Sequence, residues 1–472
     1  MTLTSASAHR ACAIFFAACA IGLTACSIGP EYSRPDVAAP SAWNDPQDNA
    51  AATWPSAEWW HGFSSPALDG YIAKARQAND DIAASIARVQ EADAQARIAG
   101  APLLPAVSAG GTATNERQST SGGMATYSQF NPFVTASYEL DFWGKNRSAL
   151  ESANATAAAS RYDRATVELT VMTGVASSYF QILALRDRLN IAEENLKSAK
   201  STLEGLQAEQ TVGTSTSLDV AQQAVVVATV SATIPPLQQQ LRQTLDALAI
   251  LTGQTPEAVD ISTGTLGDLS EPMVRAGMPS ELLARRPDVA EAEAQLIAAN
   301  ANIKVARAAF FPSINLTATG GFASTALATA LNPANSVFAL TAGIMQPIFE
   351  GGSLEGQYDY TEARYSELLA NYHKSVISAF GNVEDALTAV RQTEEQQKRQ
   401  QETVNQAQLA YELSNTQFHA GTINILTVLN TENALFTARD GLAQVKLLHL
   451  QALLALYNAL GGGWQQTEEA KS

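Results

Sequence analysis

The chain is one pattern written twice, and that constrains its fold more than any local feature. Aligned on itself at an offset of 207 to 208 residues, Asp81-Ile82 answers Asp288-Val289, and Leu104-Pro105 answers Phe311-Pro312. Phe142 and Gly144 answer Phe349 and Gly351; Gly213-Thr214, Leu218 and Val220 answer Gly421-Thr422, Leu426 and Val428; Leu245 and Gly253 answer Leu453 and Gly461. An internal repeat fixes architecture ahead of any single-element assignment. The expected organisation is a first repeat over 66–260, a linker over 261–278, a second repeat over 279–463 and a tail over 464–472.

Composition changes sharply within each repeat. No charged residue occurs from Ala308 to Phe349, and only Glu116 and Arg117 interrupt Ile98 to Tyr138. These Gly-, Ser- and Thr-rich stretches suit strands, expected at 103–115 and 131–141, then 312–324 and 337–349. Val107 and Ala109 alternate with Ser108 and Gly110, as Ile314, Leu316 and Ala318 do with Asn315, Thr317 and Thr319. Such alternation fits a barrel strand between lipid and water. In the second strand of each pair the phases conflict. Val134, Ala136, Tyr138 and Leu140 are apolar in the first copy and Phe338, Leu340, Ala342 and Ile344 in the second, so at an offset of 207 the lipid-facing side is left open.

The flanks are rich in Ala, Gln, Glu and Leu and read as long helices. Ile182, Leu189, Leu196 and Leu203 recur every seven residues, with Leu185, Ala192, Ala199 and Leu206 at the complementary positions of a coiled coil. A helix over 145–211 would extend on the order of 100 Å. Shorter helices are expected at 66–100 and 217–252, with Pro235-Pro236 interrupting or kinking the latter. Each repeat therefore reads helix, strand, strand, long helix, tight turn, returning helix. Two repeats supply only four strands, too few to enclose a water-filled lumen, so the chain is expected to oligomerise.

The N-terminus reads as an address. Arg10 precedes the apolar run Ala11 to Leu23, too short to span a bilayer and of the length of a secretory signal. Leu23-Thr24-Ala25-Cys26 resembles the bacterial lipobox, which implies cleavage of residues 1–25 and an N-acyl, S-diacylglycerol lipid on Cys26. Ser27 after the cysteine favours the outer membrane in the familiar enterobacterial sorting rule. Residues 26–65, rich in Pro and Trp, read as an acylated extended segment lying on a surface.

Several functions are disfavoured. A net charge of -17 opposes nucleic-acid binding, which needs a basic field. All three cysteines lie within the first 26 residues, and His9, His61, His373, His419 and His449 form no close pair, so no His-rich or Cys-ligated metal site is expected. No phosphate loop, paired-carboxylate site or Ser/His/Asp constellation stands out. No catalytic residue, cofactor site or metal site is assigned.

Ser280 to Leu316, Gly29-Pro30-Glu31-Tyr32-Ser33-Arg34-Pro35, Trp59-Trp60 and Tyr138 to Gly144 resemble the outer-membrane efflux lipoproteins, TolC-like channels that complete resistance-nodulation-division pumps. The resemblance spans essentially the whole mature chain. It implies a mostly α fold with a transmembrane β-barrel: a homotrimer whose four strands per chain complete a twelve-stranded barrel in outer-membrane lipid, above a periplasmic α-helical barrel with an equatorial belt. Its implied partners are a periplasmic membrane-fusion adaptor and an inner-membrane resistance-nodulation-division transporter. Its implied function is passive conduction of small toxic compounds or drugs to the exterior. The alternatives are an exit for secreted protein or metal ions, or a pore-less lipid-anchored coiled-coil scaffold.

By the same resemblance, the turns at Gly213-Thr214 and Gly421-Thr422 meet the adaptor; as residues, they also read as glycine caps. Arg286-Pro287 reads as a structural corner. Many relatives carry inward acids where this chain has Thr427 and Asn430, with Leu426 just ahead. A gate of Leu426, Thr427 and Asn430 would close by apolar packing and dewetting. The competing reading makes Leu426 and Leu429 hairpin core.

Overall fold

A computed structural model describes residues 28–44, 54–261, 263–274 and 276–466. The signal segment and Cys26 lie outside the described residues. The chain divides into two compact units: 1–36, 89–160 and 292–372 in one, 37–88, 161–291 and 373–472 in the other.

The first unit holds a four-stranded antiparallel sheet in the order β1-β2-β3-β4: β1 Ala106–Thr120, β2 Gly123–Glu139, β3 Ser313–Phe322 and β4 Ser336–Met345. The first hairpin turns at Ser121-Gly122, so its strands run beyond the expected 103–115 and 131–141. The second pair is shorter than 312–324 and 337–349, because short helical turns at Leu327–Thr329 and Pro333–Asn335 occupy its connection.

Register removes the phase conflict. Val107 pairs with Ala136, Ala136 with Ala318 and Ala318 with Leu340. Val134 pairs with Gly320 and Gly320 with Phe338; Tyr138 pairs with Leu316 and Leu316 with Ala342; Ile314 pairs with Ile344. Residues directly opposite across strands share a face. Val134, Ala136, Tyr138, Phe338, Leu340, Ala342 and Ile344 therefore lie on one side, with Ser108, Thr135, Ser137, Thr317, Thr319 and Thr341 on the other, where Phe133, Val337 and Ala339 also fall. Val107 and Ile314 stand 207 apart, but their partners Ala136 and Ile344 stand 208 apart. The repeat slips by one residue between strands, which a period-two structure converts into an apparent change of face.

Within this unit, residues 28–36 are fastened to neighbouring helix. Asn300 Nδ2 donates to the Pro30 carbonyl (3.2 Å), Tyr32 OH to Glu293 (3.3 Å), and Arg34 pairs with Glu293 at 2.9 Å. A Cβ on Gly29 would press on the Lys304 side chain at 2.7 Å, so only glycine lets the strap approach this closely.

Eight α-helices lie among the described residues: α1 Pro66–Ala78, α2 Asp80–Gly100, α3 Lys145–Thr211, α4 Ser217–Leu251, α5 Pro279–Leu282, α6 Pro287–Ala308, α7 Ser353–His419 and α8 Ile425–Ala459. The segment expected as one helix over 66–100 is two. Asn79 is extended (ψ 127°), and its Oδ1 accepts from the Ile82 amide at 3.0 Å, starting a new helix with Asp80 and Asp81 in its first turn. Pro235 and Pro236, expected to interrupt the returning helix, sit inside a continuous α4 as long as α8, 35 residues each. Each proline leaves the carbonyl four residues earlier without a donor. Those carbonyls belong to Ser231 and Ala232, both exposed, so water can serve them.

The second unit's core gathers Trp59, Trp60, Phe63, Ile72, Phe180, Ile182, Leu183, Leu248, Leu453 and Tyr457. Trp59 is 2% exposed and stacks on Tyr457 at 5.1 Å, so the Pro/Trp-rich segment ends as core rather than covering. Before it, Trp43 donates to the Gly277 carbonyl at 2.7 Å, and the Arg285 guanidinium lies 4.4 Å from the Trp54 ring.

Candidate functional site

The two hairpin ends of the second unit are built alike. Gly213 and Gly421 have φ of 81° and 71°, conformations that L side chains resist, and each closes a long helix. The Thr214 amide donates to the Glu209 carbonyl and the Thr422 amide to that of Gln417, both at 3.0 Å, the six-residue loop of a Schellman cap. Both threonine hydroxyls donate to the same carbonyls. The returning helices begin on side-chain caps: Thr216 forms a capping box with Asp219, and Asn424 Oδ1 accepts from the Thr427 amide. Hydrogen bonds from Thr216 hold the Asp219 carboxyl below its usual range. The turns leave Val212 and Leu218 exposed, apolar side chains on a polar surface.

Leu426 and Leu429 part company. Leu429 is 5% exposed and packs with Leu206, Ile425 and Val428 in a small core that closes the hairpin ends. Leu426 is 46% exposed, on the same side of the first turns as exposed Thr427 and Asn430. The hairpin-core reading therefore holds for Leu429 and fails for Leu426. Exposed Leu426, Asn430, Asn433 and Thr437 form an uncharged stripe over the first turns of α8; Asp440, the next position along it, is partly buried and paired with Arg188.

Sequence reasoning missed Glu432. It lies on the buried stripe of α8 with Ile425, Val428, Leu429, Leu435 and Phe436, and is fully buried. Its position seven residues after Ile425, within an otherwise apolar seam, is the signal that could have found it. The expected corner at Arg286-Pro287 is real: Pro287 opens α6, and Arg286 grips Asp288 at 2.6 and 2.9 Å while donating to the Ala459 carbonyl at 3.1 Å.

These features match one family throughout. The model of the outer membrane efflux protein family matches residues 71–254 and again 278–462, once per repeat. The chain belongs to this family. It is 42% identical to the pyoverdine export outer membrane protein OpmQ of Pseudomonas putida over 438 residues, 91% of this chain and 93% of that protein. It is 32% identical to the cation efflux system protein CusC of Escherichia coli over 443 residues, 93% and 95% of the two chains. Among solved structures, the outer-membrane channel OprN superposes with a TM-score of 0.88 at 26% identity, covering 93% of this chain and all of that one. The protein has the fold of the TolC-like channels, mostly helical with a small antiparallel sheet, and its family places it among outer-membrane efflux channels.

Proposed function

We propose that three copies form a passive duct that carries small toxic compounds or drugs across the outer membrane, handed over by an inner-membrane transporter and a periplasmic adaptor. The observation that carries this reading is the sheet: one mainly apolar face, one mainly polar face, and two open edges at β1 and β4. In lipid an unpaired edge is untenable, because each unsatisfied backbone group costs several kcal/mol. Three chains of four strands close a twelve-stranded barrel. The helices support the same stoichiometry. Among the described residues α4 alone is long and apolar enough to cross a membrane, yet it leaves Val225 and Ile250 exposed, surface that a neighbouring copy would cover.

Small organic cargo suits the uncharged exposed residues of the first turns of α8, Leu426, Thr427, Asn430 and Asn433, which offer no ring of fixed charge there to select an ion. Reconstitution in planar bilayers tests the duct: purified protein should conduct, and native mass measurement in mild detergent should give three chains. A stable monomer inserted in bilayers would end the reading.

The turns at Gly213-Thr214 and Gly421-Thr422 are the adaptor's contact, and Cys26 carries the lipid anchor. Gly421→Glu places a charged side chain at a positive-φ turn and should lower drug resistance in cells while leaving the trimer intact; full resistance would refute the contact. Cys26→Ser should abolish fatty-acid labelling.

A further inference from the structure

A carboxylate sits where the hairpin ends join, and nothing described so far uses it. The buried seam of α8 runs Ile425, Val428-Leu429, Glu432, Leu435-Phe436, so Glu432 replaces an apolar layer one turn beyond the small core. Glu432 Oε1 accepts from Ser198 Oγ of α3 at 2.9 Å. Gln223 of α4, also fully buried, donates through Nε2 to the Ala199 carbonyl of α3 at 2.8 Å, and its amide lies close enough to the Glu432 carboxyl to influence its charge. Two buried oxygens then remain without a partner: Glu432 Oε2 and Gln223 Oε1.

A carboxylate oxygen buried without a partner has one remedy, a proton. Placed on Oε2, it neutralises the buried acid and gives that oxygen a hydrogen to donate. No cation offers the alternative. Along the stretches of the packed helices nearest to it, the charged groups are Glu193, Glu194, Lys197, Lys200 and Glu204 on α3, all exposed; Asp219 on α4, held in its cap; Glu412 and His419 on α7, both exposed; and Arg439 and Asp440 on α8. Arg439 is engaged with Gln408, and Asp440 with Arg188. Burial raises the Glu432 pKa, opposed by the hydrogen bonds from Ser198 and Gln223 and by no neighbouring cation.

We propose that Glu432 is a proton-operated latch: its protonated carboxyl ties the entrance end of α8 to α3 and α4, and losing the proton frees that end. The regulatory role rests on the reading of these hairpin ends as the mouth of the duct; the latch itself rests on the three helices alone. An acid whose pKa is raised in the folded state stabilises the junction relative to its ionised form at low pH. The latch is tight below the ordinary glutamate value of 4.5 and weakens as pH rises through the elevated value.

Hydrogen–deuterium exchange on the purified trimer tests this in peptides spanning 425–435, from pH 5 to 9, after correction for intrinsic exchange. In the wild type, the local opening constant should rise by up to about tenfold per pH unit within the window. Glu432→Gln keeps the shape without the titrating proton and should flatten the profile. Ser198→Ala removes a hydrogen bond that favours the carboxylate and should move the window to higher pH, which keeps the proposal testable if the glutamine variant assembles poorly. A flat wild-type profile, an equal slope in Glu432→Gln, or an unmoved window in Ser198→Ala would each overturn the latch. Conductance of the same preparation is read separately: a pore former with flat exchange refutes the latch alone, and pH-dependent exchange in a protein that forms no pore refutes the duct alone.

Discussion

Asn79 and Arg286, 207 residues apart, hold the same corner of the two repeats with different chemistry. Asn79 Nδ2 donates to the carbonyl of Leu251, the last residue of α4, at 2.9 Å; Arg286 Nη1 donates to the carbonyl of Ala459, the last residue of α8, at 3.1 Å. Each corner faces a glycine with positive φ, Gly253 at 64° and Gly461 at 82°, where a Cβ would strike the carbonyls of Ala78 and Arg285. The duplication preserved a geometric demand, an orphan helix-end carbonyl beside a close backbone crossing, and let the donor change.

The two donors should differ in cost. Arg286 is 8% exposed and also neutralises Asp288, so Arg286→Ala leaves both a carbonyl and a carboxylate unserved; a loss of about 2–4 kcal/mol is expected. Asn79→Ala loses one carbonyl bond and the cap of α2, about 1–2 kcal/mol. Urea unfolding of the detergent-solubilised protein should rank them in that order, and equal losses would show that the ion pair adds nothing.

The shared face of the sheet predicts an asymmetry at adjacent residues. Leu340 lies in register with Ala318, Ala136 and Val107, and Thr341 with Thr317 and Ser137. Leu340→Arg puts a cation into lipid at a cost of about 2–4 kcal/mol near the bilayer midplane, whereas Thr341→Arg points into water. The proportion of folded, heat-modifiable protein on detergent gels should fall for the first variant only.

Much of this was legible because the chain states it twice. The long helix over 145–211, a long helix in the second repeat and the glycine turns follow from periodicity and caps; the structure has the first at 145–211 and the second at 353–419. The break at Asn79 escaped because Asn-Asp-Asp inside a helical pattern is also compatible with a continuous surface. The strand phases misled because a single offset cannot follow a one-residue slip. Glu432 stayed hidden because an acid on a helix is ordinarily read as solvated, although the apolar seam on either side of it marks the position as buried.

Glu291 gives a pH dependence of defined sign. Burial and the nearby carboxylates of Asp163 and Asp288 push its pKa from 4.5 up to about 7. Arg88 holds Asp163 at 2.6 Å and Arg286 holds Asp288 at 2.6 Å. A raised carboxyl pKa means that stability is greatest below 4.5 and is lost as pH climbs through about 7. After screening at a partly exposed site, the loss is on the order of 1–2 kcal/mol. Glu291→Gln should flatten the melting temperature between pH 5 and 8; an unchanged slope would assign the dependence to other groups.

The separation of Leu426 from Leu429 turns the gate into a paired experiment. Leu429→Ser empties a position in the core that closes the hairpin ends, and should cost about 2–5 kcal/mol with correspondingly poor assembly. Leu426 takes no part in that core, so Leu426→Ser should leave stability within about 0.5 kcal/mol of the parent. If three copies meet at the mouth of the duct, their Leu426 side chains close it by excluding water, with Thr427 and Asn430 supplying no charge. Leu426→Ser should then raise single-channel conductance and sensitise cells to large antibiotics. Polyvalent cations should block the parent channel only weakly, since α8 exposes no carboxylate there. Normal assembly with unchanged conductance in Leu426→Ser would move the constriction elsewhere along α8.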